Sequence, residues 1–416
     1  MLYFYDDVRA RGFEPFASAR PICEMTAGIA LIRDRWTTVL GADDGARCLA
    51  GPRHIDFDEA FVPGAASAAQ GVVPAGSIIA NSRCVPALTR RGGATTGRDA
   101  PAGWRLGDRV GAVRLAEPVD AGVFAEGGLA LGDLLPPNAR LERLDGWWLD
   151  DVWDFIRLLP EQLASDIAAV ASQEPGKRRA PPAHVTVLGD GQVVLLGAPV
   201  LEPHVVLDTT SGPVLIEGGA HVRTFTRICG PCRIGRDANV LSGEISACSI
   251  GEVSKVRGEL STSVVVGHAN KSHDGFIGHS YLGRWVNLGA GTITSNLKNT
   301  YGNVSLWTPD GVRETGMQFL GTLFGDHVKT GIGLRLTTGT VIGAGANVYG
   351  NMPPKTVAPF SWGDAPPYAT YRADKFVEAA SRAMSRRHIE LTDRARRHLE
   401  SMHAGRWTVE PETSHS

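Results

Sequence analysis

The chain has no strong charge bias and few cysteines. Its 416 residues carry 42 basic and 44 acidic side chains, so it has no large cationic field to attract nucleic acid. The six cysteines are scattered and too few for a disulfide framework in a chain of this length, which predicts reduced thiols. "CGPC" at 229–232 has the spacing of a redox pair or half a zinc site. Without a second CxxC, we interpret it as two small residues in a coil.

Long apolar runs are also missing. No stretch of about 18 apolar residues occurs, and "MLYFYDDVRARG" reaches acidic residues after five positions, which argues against a signal peptide. We therefore expect a soluble, cytoplasmic protein without membrane contact. Aromatic residues are few as well. Seven tyrosines and 13 phenylalanines against 50 glycines favour a backbone with many tight corners.

The first part of the chain has mixed periodicity. Residues 1–148 alternate short apolar runs with helical patterns, which predicts a small α/β domain, and 90–103 has the composition of a surface loop. Residues 149–183 predict a helical linker in which Pro160 kinks or divides a helix. The end of this linker, 174–183, lacks any periodicity and is the predicted domain boundary.

A six-residue period begins after the linker, with glycine after the apolar position in "IGRDAN", "LGAGTI" and "IGAGAN". This period is typical of a left-handed parallel β-helix, whose coils of about 18 residues have three flat sides. We predict such a β-helix over 184–360 and a C-terminal helical tail over 361–416. Because the flat sides are self-complementary, we also expect a homotrimer with clefts between subunits. The residues in this period, expected to point inward, are Ile216, Val222, Ile228, Ile234, Val240, Leu282, Leu288, Thr294, Leu336, Ile342, Val348 and Pro354.

The segment "NKSHDGFIGHSYLGRWVNLGAGTITSN" at 270–296 carries a family resemblance. It resembles the acetyltransferase half of the bifunctional N-acetylglucosamine-1-phosphate uridylyltransferase/glucosamine-1-phosphate acetyltransferase family, in which "YLG" precedes "VNIGAGTITCN". With "FYDD", "SARP", "KTGI", "TGTVIGAGANVYG" and "PFSWG", the chain resembles a divergent bacterial branch with a shortened nucleotidyltransferase-like domain. The resemblance implies sugar-nucleotide biosynthesis on the route to UDP-N-acetylglucosamine, with acetyl transfer from acetyl-CoA to an amino-sugar 1-phosphate.

The resemblance also implies a histidine base, and two histidines compete for that role. His279 matches the family motif in "GHSYLG", but it lies eight residues before Asn287, six fewer than the family spacing. His273 lies fourteen residues before Asn287 and twenty-three before Asn296, which reproduces the spacing without a gap. In a prism counted in sixes a lost hexad would rotate every later residue, so we predict His273 as the base. Its unperturbed pKa of about 6.5 suits removal of a proton from an amine.

Other roles follow from the same resemblance. Asn296 or the "GAG" backbone would stabilise the oxyanion, and Asn287 would contact the sugar together with Asn296. Lys271 would contact the sugar phosphate. Phe276 stands where the family has a tyrosine, and Tyr281 would take over the role of that tyrosine. Taken singly, each of these residues is more often structural. The residues that the resemblance places beside acetyl-CoA are Gly331, Tyr349 and Lys329.

The opening of the chain resembles a nucleotidyltransferase only in part. "GFEPFASARPIC" has no G-x-G-T-R loop before it, and Ile22 replaces the lysine of the family's "RPK". The residues left to form an altered phosphate and Mg²⁺ site are Asp6, Asp7, Arg9 and Arg20. Degenerate or altered nucleotidyl transfer is therefore favoured over intact activity, and Mg²⁺ is required only if this domain is active.

Two alternatives from other functional classes remain open. His268 and His273 have an H-x4-H spacing that suits two zinc ligands of a γ-carbonic-anhydrase-like hydratase, although no third ligand is evident. A non-catalytic trimeric scaffold or sugar-nucleotide sensor is the other, because hexad repeats fold without an active site.

Overall fold

The computed structural model describes residues 1–41, 46–49, 54, 56–59, 66–67, 70–89, 100–173 and 178–409. Most of the loop predicted at 90–103 and the first four residues of the boundary predicted at 174–183 lie outside the described residues. Within the described part of the chain, no helix is both long and apolar enough to cross a membrane.

The N-terminal domain is built on a seven-stranded mixed sheet. Its first strand, Leu2–Tyr5, lies between Ala46–Leu49 and Ile78–Asn81 and is parallel to both. Alternate side chains of this strand point to opposite faces, so Phe4 packs under the helices while Tyr5 packs against Phe124 on the other side. In spatial order the strands are Leu141–Leu144, Gly103–Leu106, Arg109–Arg114, Ile78–Asn81, Leu2–Tyr5, Ala46–Leu49 and Ala66–Ser67.

Short elements complete this domain. The two-stranded sheets are Thr26–Ala27 with Ala30–Leu31, Val72–Val73 with Val119–Asp120, and Cys84–Pro86 with Gly146–Trp148. The 3-10 helices are Ala10–Gly12, Ile22–Glu24, Ala121–Phe124 and Leu131–Leu134.

Three helices cover one face of the sheet: α1 (Ile32–Leu40), α2 (Asp154–Arg157) and α3 (Leu159–Gln173). The break between α2 and α3 confirms the predicted effect of Pro160, because a proline ring clashes with the preceding helical turn. The described part of the predicted linker is not a spacer. Phe155 and Leu163 are fully buried in one core with Phe4 of the sheet and Leu215 of the following domain, so α2 and α3 form the layer between the two domains.

The second domain is a parallel β-helix with three faces, which confirms the predicted fold class. Each coil runs from the first face to the second, then to the third. The strands of the first face are Val193–Leu196, Val214–Ile216, Cys232–Ile234, Ser249–Ile250, Val264–Val265, Tyr281–Leu282, Thr322–Phe324, Thr340–Ile342 and Thr356–Val357, with Arg178–Arg179 antiparallel at its edge.

The other two faces share two long strands, Asn239–Ser246 and Lys255–Ser261, that bend around a corner at Gly243 and Gly258. The remaining strands of the second face are Val200–Leu201, His221–Val222, Asn270–Lys271, Lys329–Thr330, Asn347–Val348 and Ser361–Gly363, with Ala369–Thr370 antiparallel at its end. The remaining strands of the third face are Thr186–Leu188, Val206–Asp208, Thr226–Cys229, Phe276–Gly278, Ile293–Thr294 and Arg335–Leu336.

The interior is a stack of branched apolar side chains. All the residues predicted to point inward are buried except Pro354, which is half-buried. The prediction for Pro354 is wrong because the chain takes nine residues, not six, to reach the next inward position: Val357 is the residue that pairs with Ile342. Each buried branched side chain contributes about 1.5–3 kcal/mol of transfer free energy.

The coils differ in length. Ile216 pairs with Ile234, 18 residues later, but Ile250 pairs with Val265, 15 residues later. Val265 then pairs with Leu282, a step of 17. The stack keeps its inward residues aligned because the corners absorb the missing residues. A constant step of six therefore does not hold through the middle of the domain.

The next coil contains an insertion. Leu282 pairs with Phe324, 42 residues later, because residues 297–321 leave the third face and return to the first. The insertion carries a hairpin of strands Ser305–Thr308 and Gly311–Glu314. Arg313 of this hairpin donates to Asp151 of the N-terminal domain at 2.6 Å, so the insertion is anchored between the domains.

The N-terminal domain covers the outer side of the first face. Buried ion pairs hold the contact: Arg20 binds Glu59 at 2.7 Å and Asp326 at 2.5 Å, and Arg284 Nε lies 2.9 Å from Glu59. Because these charges are buried, removing one partner would leave an uncompensated charge. The two domains are thus joined by complementary charge as well as by a shared apolar core.

The C-terminal tail forms two helices rather than the single predicted one, α4 (Ala373–Ser385) and α5 (Asp393–Ala404). Thr392 caps α5 by accepting from the Ala395 N–H at 3.0 Å. Phe376 of α4 packs against Phe360 with ring centroids 4.9 Å apart. The tail covers one corner of the last coils in its own chain.

Candidate functional site

His279 lies at the corner between strand Phe276–Gly278 on the third face and strand Tyr281–Leu282 on the first. Its φ of +47° is in the left-handed region, and its N–H donates to Ser261 O at 2.8 Å. The backbone at this corner is therefore fixed to the preceding coil, which holds the imidazole in place.

The next coil brings Asn296 to the same corner. Asn296 Nδ2 lies 2.9 Å from His279 Nδ1, although the two residues are 17 positions apart. Gly278 makes room for this contact. A Cβ at Gly278 would lie 2.6 Å from Asn296 Nδ2 and 2.3 Å from Phe276 Cζ, so a side chain there would push both groups away.

The insertion closes over the same corner. Leu320 N–H donates to Asn296 O at 2.9 Å, and Gly321 N–H donates to His279 O at 2.9 Å. These bonds place the ring of Phe319 parallel to the imidazole, with centroids 5.4 Å apart and an interplanar angle of 25°. The hexad pattern contains no signal for Phe319, because this residue lies in the insertion rather than in a coil.

The imidazole of His279 is held neutral. Burial lowers its pKa to about 4, because the partly dry corner disfavours the charged form. A neutral imidazole has one nitrogen free to accept a proton at pH 7. The corner therefore combines a proton acceptor, an amide and a flat aromatic wall.

His273, the histidine preferred from the spacing, lies elsewhere. It is exposed, at the corner between the second and third faces. The 17-residue step from Asn270 to Asn287 leads from His273 to Ala290, not to a polar side chain. The structure brings His279 and not His273 to Asn296. The preference for His273 depended on a constant step of six, which these coils do not keep.

The predicted substrate contacts are separated in the structure. Tyr281 is fully buried under the N-terminal domain, where its hydroxyl accepts from Thr26 N–H at 2.9 Å and donates to Thr26 O at 3.0 Å. Its assignment to the substrate site is therefore wrong. Lys271 points inward, is 3% exposed and donates to the carbonyl of His273. Asn287 faces outward on the second face, where its Oδ1 accepts from Asn270 Nδ2 at 2.8 Å.

Burial affects the two lysines of this domain alike. It lowers the pKa of Lys271 to about 8 and that of Lys329 to about 8. Lys329 Nζ donates to Trp285 O at 2.8 Å and to His327 O at 3.3 Å. Both ammonium groups are thus directed at backbone carbonyls, which compensate for part of their lost hydration.

Gly331 and Tyr349, assigned to acetyl-CoA by resemblance, are neighbours on the second face. A Cβ at Gly331 would lie 2.6 Å from Tyr349 Cβ. Tyr349 is 47% exposed and meets Trp362 edge-on. The pair forms an open aromatic surface. The "GAG" N–H groups of Gly289 and Gly291 are taken by Thr330 Oγ1 and Asp274 O.

The residues of the zinc alternative do not converge. His268 is buried at the corner between the first and second faces, stacked 4.6 Å from Trp285, and Arg284 Nη1 lies 3.5 Å from its Nδ1. Burial and the charge of Arg284 lower the pKa of His268 to about 4. Among the residues that the structure describes, no three His, Cys, Asp or Glu side chains form a metal cluster. All six cysteines, including Cys229 and Cys232, are free.

A second polar cluster lies at the carboxyl edge of the N-terminal sheet, where strands Leu2–Tyr5 and Ile78–Asn81 end. Asp7 accepts from Arg83 Nη2 at 2.7 Å, from Asn81 Nδ2 at 2.9 Å and from the Ala10 N–H at 2.9 Å. Burial alone would raise the pKa of Asp7, but the hydrogen bonds and charge of Arg83 lower it. Asp6 points into the domain, where burial raises its pKa to about 6.

Three arginines of this cluster meet at one carboxylate. Asp150 Oδ1 accepts from Arg109 at 2.8 Å, from Arg83 at 3.2 Å and from Arg9 at 3.5 Å. Arg109 also lies 3.8 Å above the ring of Trp148. Of these residues the sequence had indicated only Arg9. The others come from strands that follow it by seventy residues or more, so the local pattern could not reveal them.

Arg20, the other predicted phosphate ligand, is not part of this cluster. It is 2% exposed and bound to Glu59 and Asp326. That prediction is wrong, because the side chain is committed to the contact with the β-helix. The turn before it, where the family has a glycine-rich loop, packs Phe13 and Phe16 into the core.

Comparison with known proteins agrees with this architecture. Residues 2–174 match the family model "Sugar nucleotidyl transferase". The chain is 33% identical over 91 residues to a "Bifunctional sugar-1-phosphate nucleotidylyltransferase/acetyltransferase" of Sulfurisphaera tokodaii, covering 22% of this chain and 23% of the relative. It is 33% identical over 161 residues to a "Bifunctional protein GlmU" of Prochlorococcus marinus, covering 39% of this chain and 26% of the relative. The chain thus spans about a quarter of the length of these curated relatives.

One solved structure, of LpxA, a UDP-N-acetylglucosamine acyltransferase from Bacteroides fragilis, is similar at 11% identity with a TM-score of 0.17. The similarity covers 54% of this chain and 96% of that one. Because this superposition is poor, the β-helix is assigned from its own strand register. The chain therefore carries a domain of the sugar nucleotidyl transferase family, fused to a parallel β-helix, and resembles bifunctional nucleotidylyltransferase/acetyltransferases.

Proposed function

We propose that the protein transfers an acetyl group from acetyl-CoA to the amine of an amino-sugar 1-phosphate, with glucosamine 1-phosphate as the first candidate, at the His279 corner of the β-helix. The observation that carries the proposal is the contact between His279 and Asn296. The printed names of the relatives support acetyl transfer to a sugar phosphate. The protein acts as a cytoplasmic homotrimer in this proposal, with a neighbouring subunit completing the cleft.

In this mechanism His279 is the general base. When the Asn296 amide presents its Oδ1, Nδ1 of the imidazole carries the hydrogen and Nε2 keeps a free lone pair. The amine nitrogen attacks the thioester carbonyl carbon, and its proton passes to Nε2. The C–S bond then breaks, and the leaving thiolate takes the proton from the imidazolium. The products are the N-acetyl sugar phosphate and CoA.

Asn296 acts as the positioning residue of this pair. A hydrogen bond to Nδ1 fixes both the ring orientation and the tautomer. Phe319 and Phe276 flank the imidazole and limit water at the corner, which keeps the base neutral. Gly331 and Tyr349 offer the acetyl-CoA surface in this proposal, on the second face.

The test compares two histidine variants with the same assay. We expect His279→Ala to reduce CoA release with glucosamine 1-phosphate by about a hundred- to ten-thousandfold, the usual contribution of a general base. The matched control His273→Ala should retain activity, because His273 is exposed and remote from Asn296. Light scattering should show an unchanged oligomer for both variants.

Two outcomes would contradict the proposal. Loss of activity in His273→Ala alone would restore the constant-spacing assignment. Absence of CoA release from the unsubstituted protein, across a panel of amino-sugar phosphates, would exclude acetyl transfer and favour the scaffold or sensor.

A further inference from the structure

The carboxylates at the edge of the N-terminal sheet do not fit a Mg²⁺ site. Mg²⁺ takes carboxylate oxygens that are free to coordinate it, usually with several waters. Both oxygens of Asp7 are already hydrogen-bonded, and its charge is balanced by Arg83. Asp6 offers one buried oxygen, and its raised pKa of about 6 opposes ionisation. The guanidinium of Arg83 occupies the place beside Asp7 that a cation would need.

The same edge has an excess of positive charge. Arg83 is largely neutralised by Asp7, which leaves Arg9 and Arg109 to share the carboxylate of Asp150. The Arg9 side chain is 61% exposed, and those of Arg109 and Asp150 are each 41% exposed. Two accessible guanidinium groups therefore converge on one accessible carboxylate oxygen.

The position and geometry of these groups suit a phosphate. In open sheets with parallel strands, ligands bind outside the carboxyl ends of the strands, which is where Asp7 and Arg83 lie. Guanidinium groups bind phosphate oxygens through paired N–H donors and need no metal to do so. Trp148 lies between Arg109 at 3.8 Å and Arg83 at 5.6 Å. Its ring thus orients the arginines and leaves no open face for a base to stack on.

We propose that the N-terminal domain binds a diphosphate-bearing anion through Arg9 and Arg109 without a divalent cation, and that it does not catalyse nucleotidyl transfer. The bound diphosphate takes up the hydrogen bonds that Asp150 now accepts from these two side chains. Arg83 stays on Asp7 and keeps the edge rigid. This binding is separate from acetyl transfer at the His279 corner and does not depend on it.

Calorimetry of the full-length protein with inorganic pyrophosphate tests the proposal, in EDTA and then in excess Mg²⁺. We expect binding in EDTA at least as tight as with Mg²⁺. Arg9→Gln and Arg109→Gln should each weaken it at least tenfold. Arg105→Gln is the matched control, since Arg105 lies on the adjacent strand and donates to Gly107 O rather than to Asp150. Its binding should be unchanged.

UTP and UDP-N-acetylglucosamine separate the sources of the diphosphate. Affinities within about tenfold of pyrophosphate, lost in the same two variants, support recognition of the phosphates alone. Binding that needs Mg²⁺, binding that survives both variants, or Mg²⁺-dependent exchange of pyrophosphate into UTP would each overturn the proposal. CoA release by Arg9→Gln and Arg109→Gln should stay at the level of the unsubstituted protein, so failure here is distinct from failure of the acetyltransferase proposal.

Discussion

At the edge of the N-terminal sheet, Asp7 and Asp150 are held by arginines, whereas His279 in the β-helix meets only a neutral amide and an aromatic ring. The ionic cluster keeps its carboxylates charged, because the arginines lower the pKa of both Asp7 and Asp150 against the effect of burial. The neutral corner does the opposite, since burial without a counter-charge lowers the pKa of His279. Charge pairing thus prepares one region to bind an anion, and its absence leaves the other a neutral base.

Breaking the ionic cluster should have the larger effect on stability. Arg83→Leu leaves Asp7 partly buried beside an apolar group, and we expect the free energy of unfolding to fall by about 3 kcal/mol. Urea denaturation measures this change. Arg109→Leu is the control: its partner Asp150 is 41% exposed, so the loss should stay below about 1 kcal/mol. Equal losses would show that burial does not distinguish the two pairs.

A methyl group can test the neutral corner without changing charge. In Gly278→Ala, the new Cβ would displace the Asn296 amide and the Phe276 ring. We expect CoA release to fall about ten- to a hundredfold, because small displacements of positioned groups slow catalysis strongly. Gly302→Ala is the matched control within the insertion, since the nearest atom to its Cβ would be Thr300 Oγ1 at 3.8 Å. An unchanged rate in Gly278→Ala would remove Asn296 from the mechanism.

The pH dependence of stability sharpens the comparison with the smallest effect. His268, His279 and His398 have pKa values lowered to about 4, below the unfolded value of about 6.5. The unfolded chain therefore binds more protons between these values, and stability is lost as pH falls from about 6.5 toward 4. Asp6, whose pKa is raised to about 6, acts in the opposite sense but is outnumbered.

Thermal melting between pH 4 and 7 measures this slope. His279→Asn should make the slope shallower, because one of the three lowered histidines is gone. His273→Asn, at an exposed position, should leave the slope unchanged. A slope that is the same in His279→Asn would mean that His279 is not held neutral by the fold.

Much of the β-helix could be predicted because its signal is local. Ile228, Ile234 and Val240 are inward-facing at the predicted step of six. The misplacement of Pro354 and the preference for His273 share one cause, which is that corners can lose or gain residues while the stack stays aligned. Neither the 15-residue coil after Ile250 nor the insertion at 297–321 changes the local apolar pattern enough to reveal itself.

The partners of several predicted site residues could not be predicted, because they come from distant parts of the chain. Arg20 fits a phosphate-binding motif by its neighbours in sequence, yet it meets Asp326 more than three hundred residues later. Tyr281 follows a family motif, yet its side chain is buried against Thr26 and Phe16 of the other domain. Motif position indicates which residue types are present, and packing decides whether they are accessible.

The sequence by itself determined the two kinds of domain and the inward side of most coils, since a period of six and the alternation in a strand are short-range geometric rules. Only the tertiary structure decided which histidine meets Asn296 and which arginines meet Asp7 and Asp150. The physical reason is that these contacts depend on how many residues each corner contains and on which strand ends are neighbours in space. Both are settled by the packing of the whole chain.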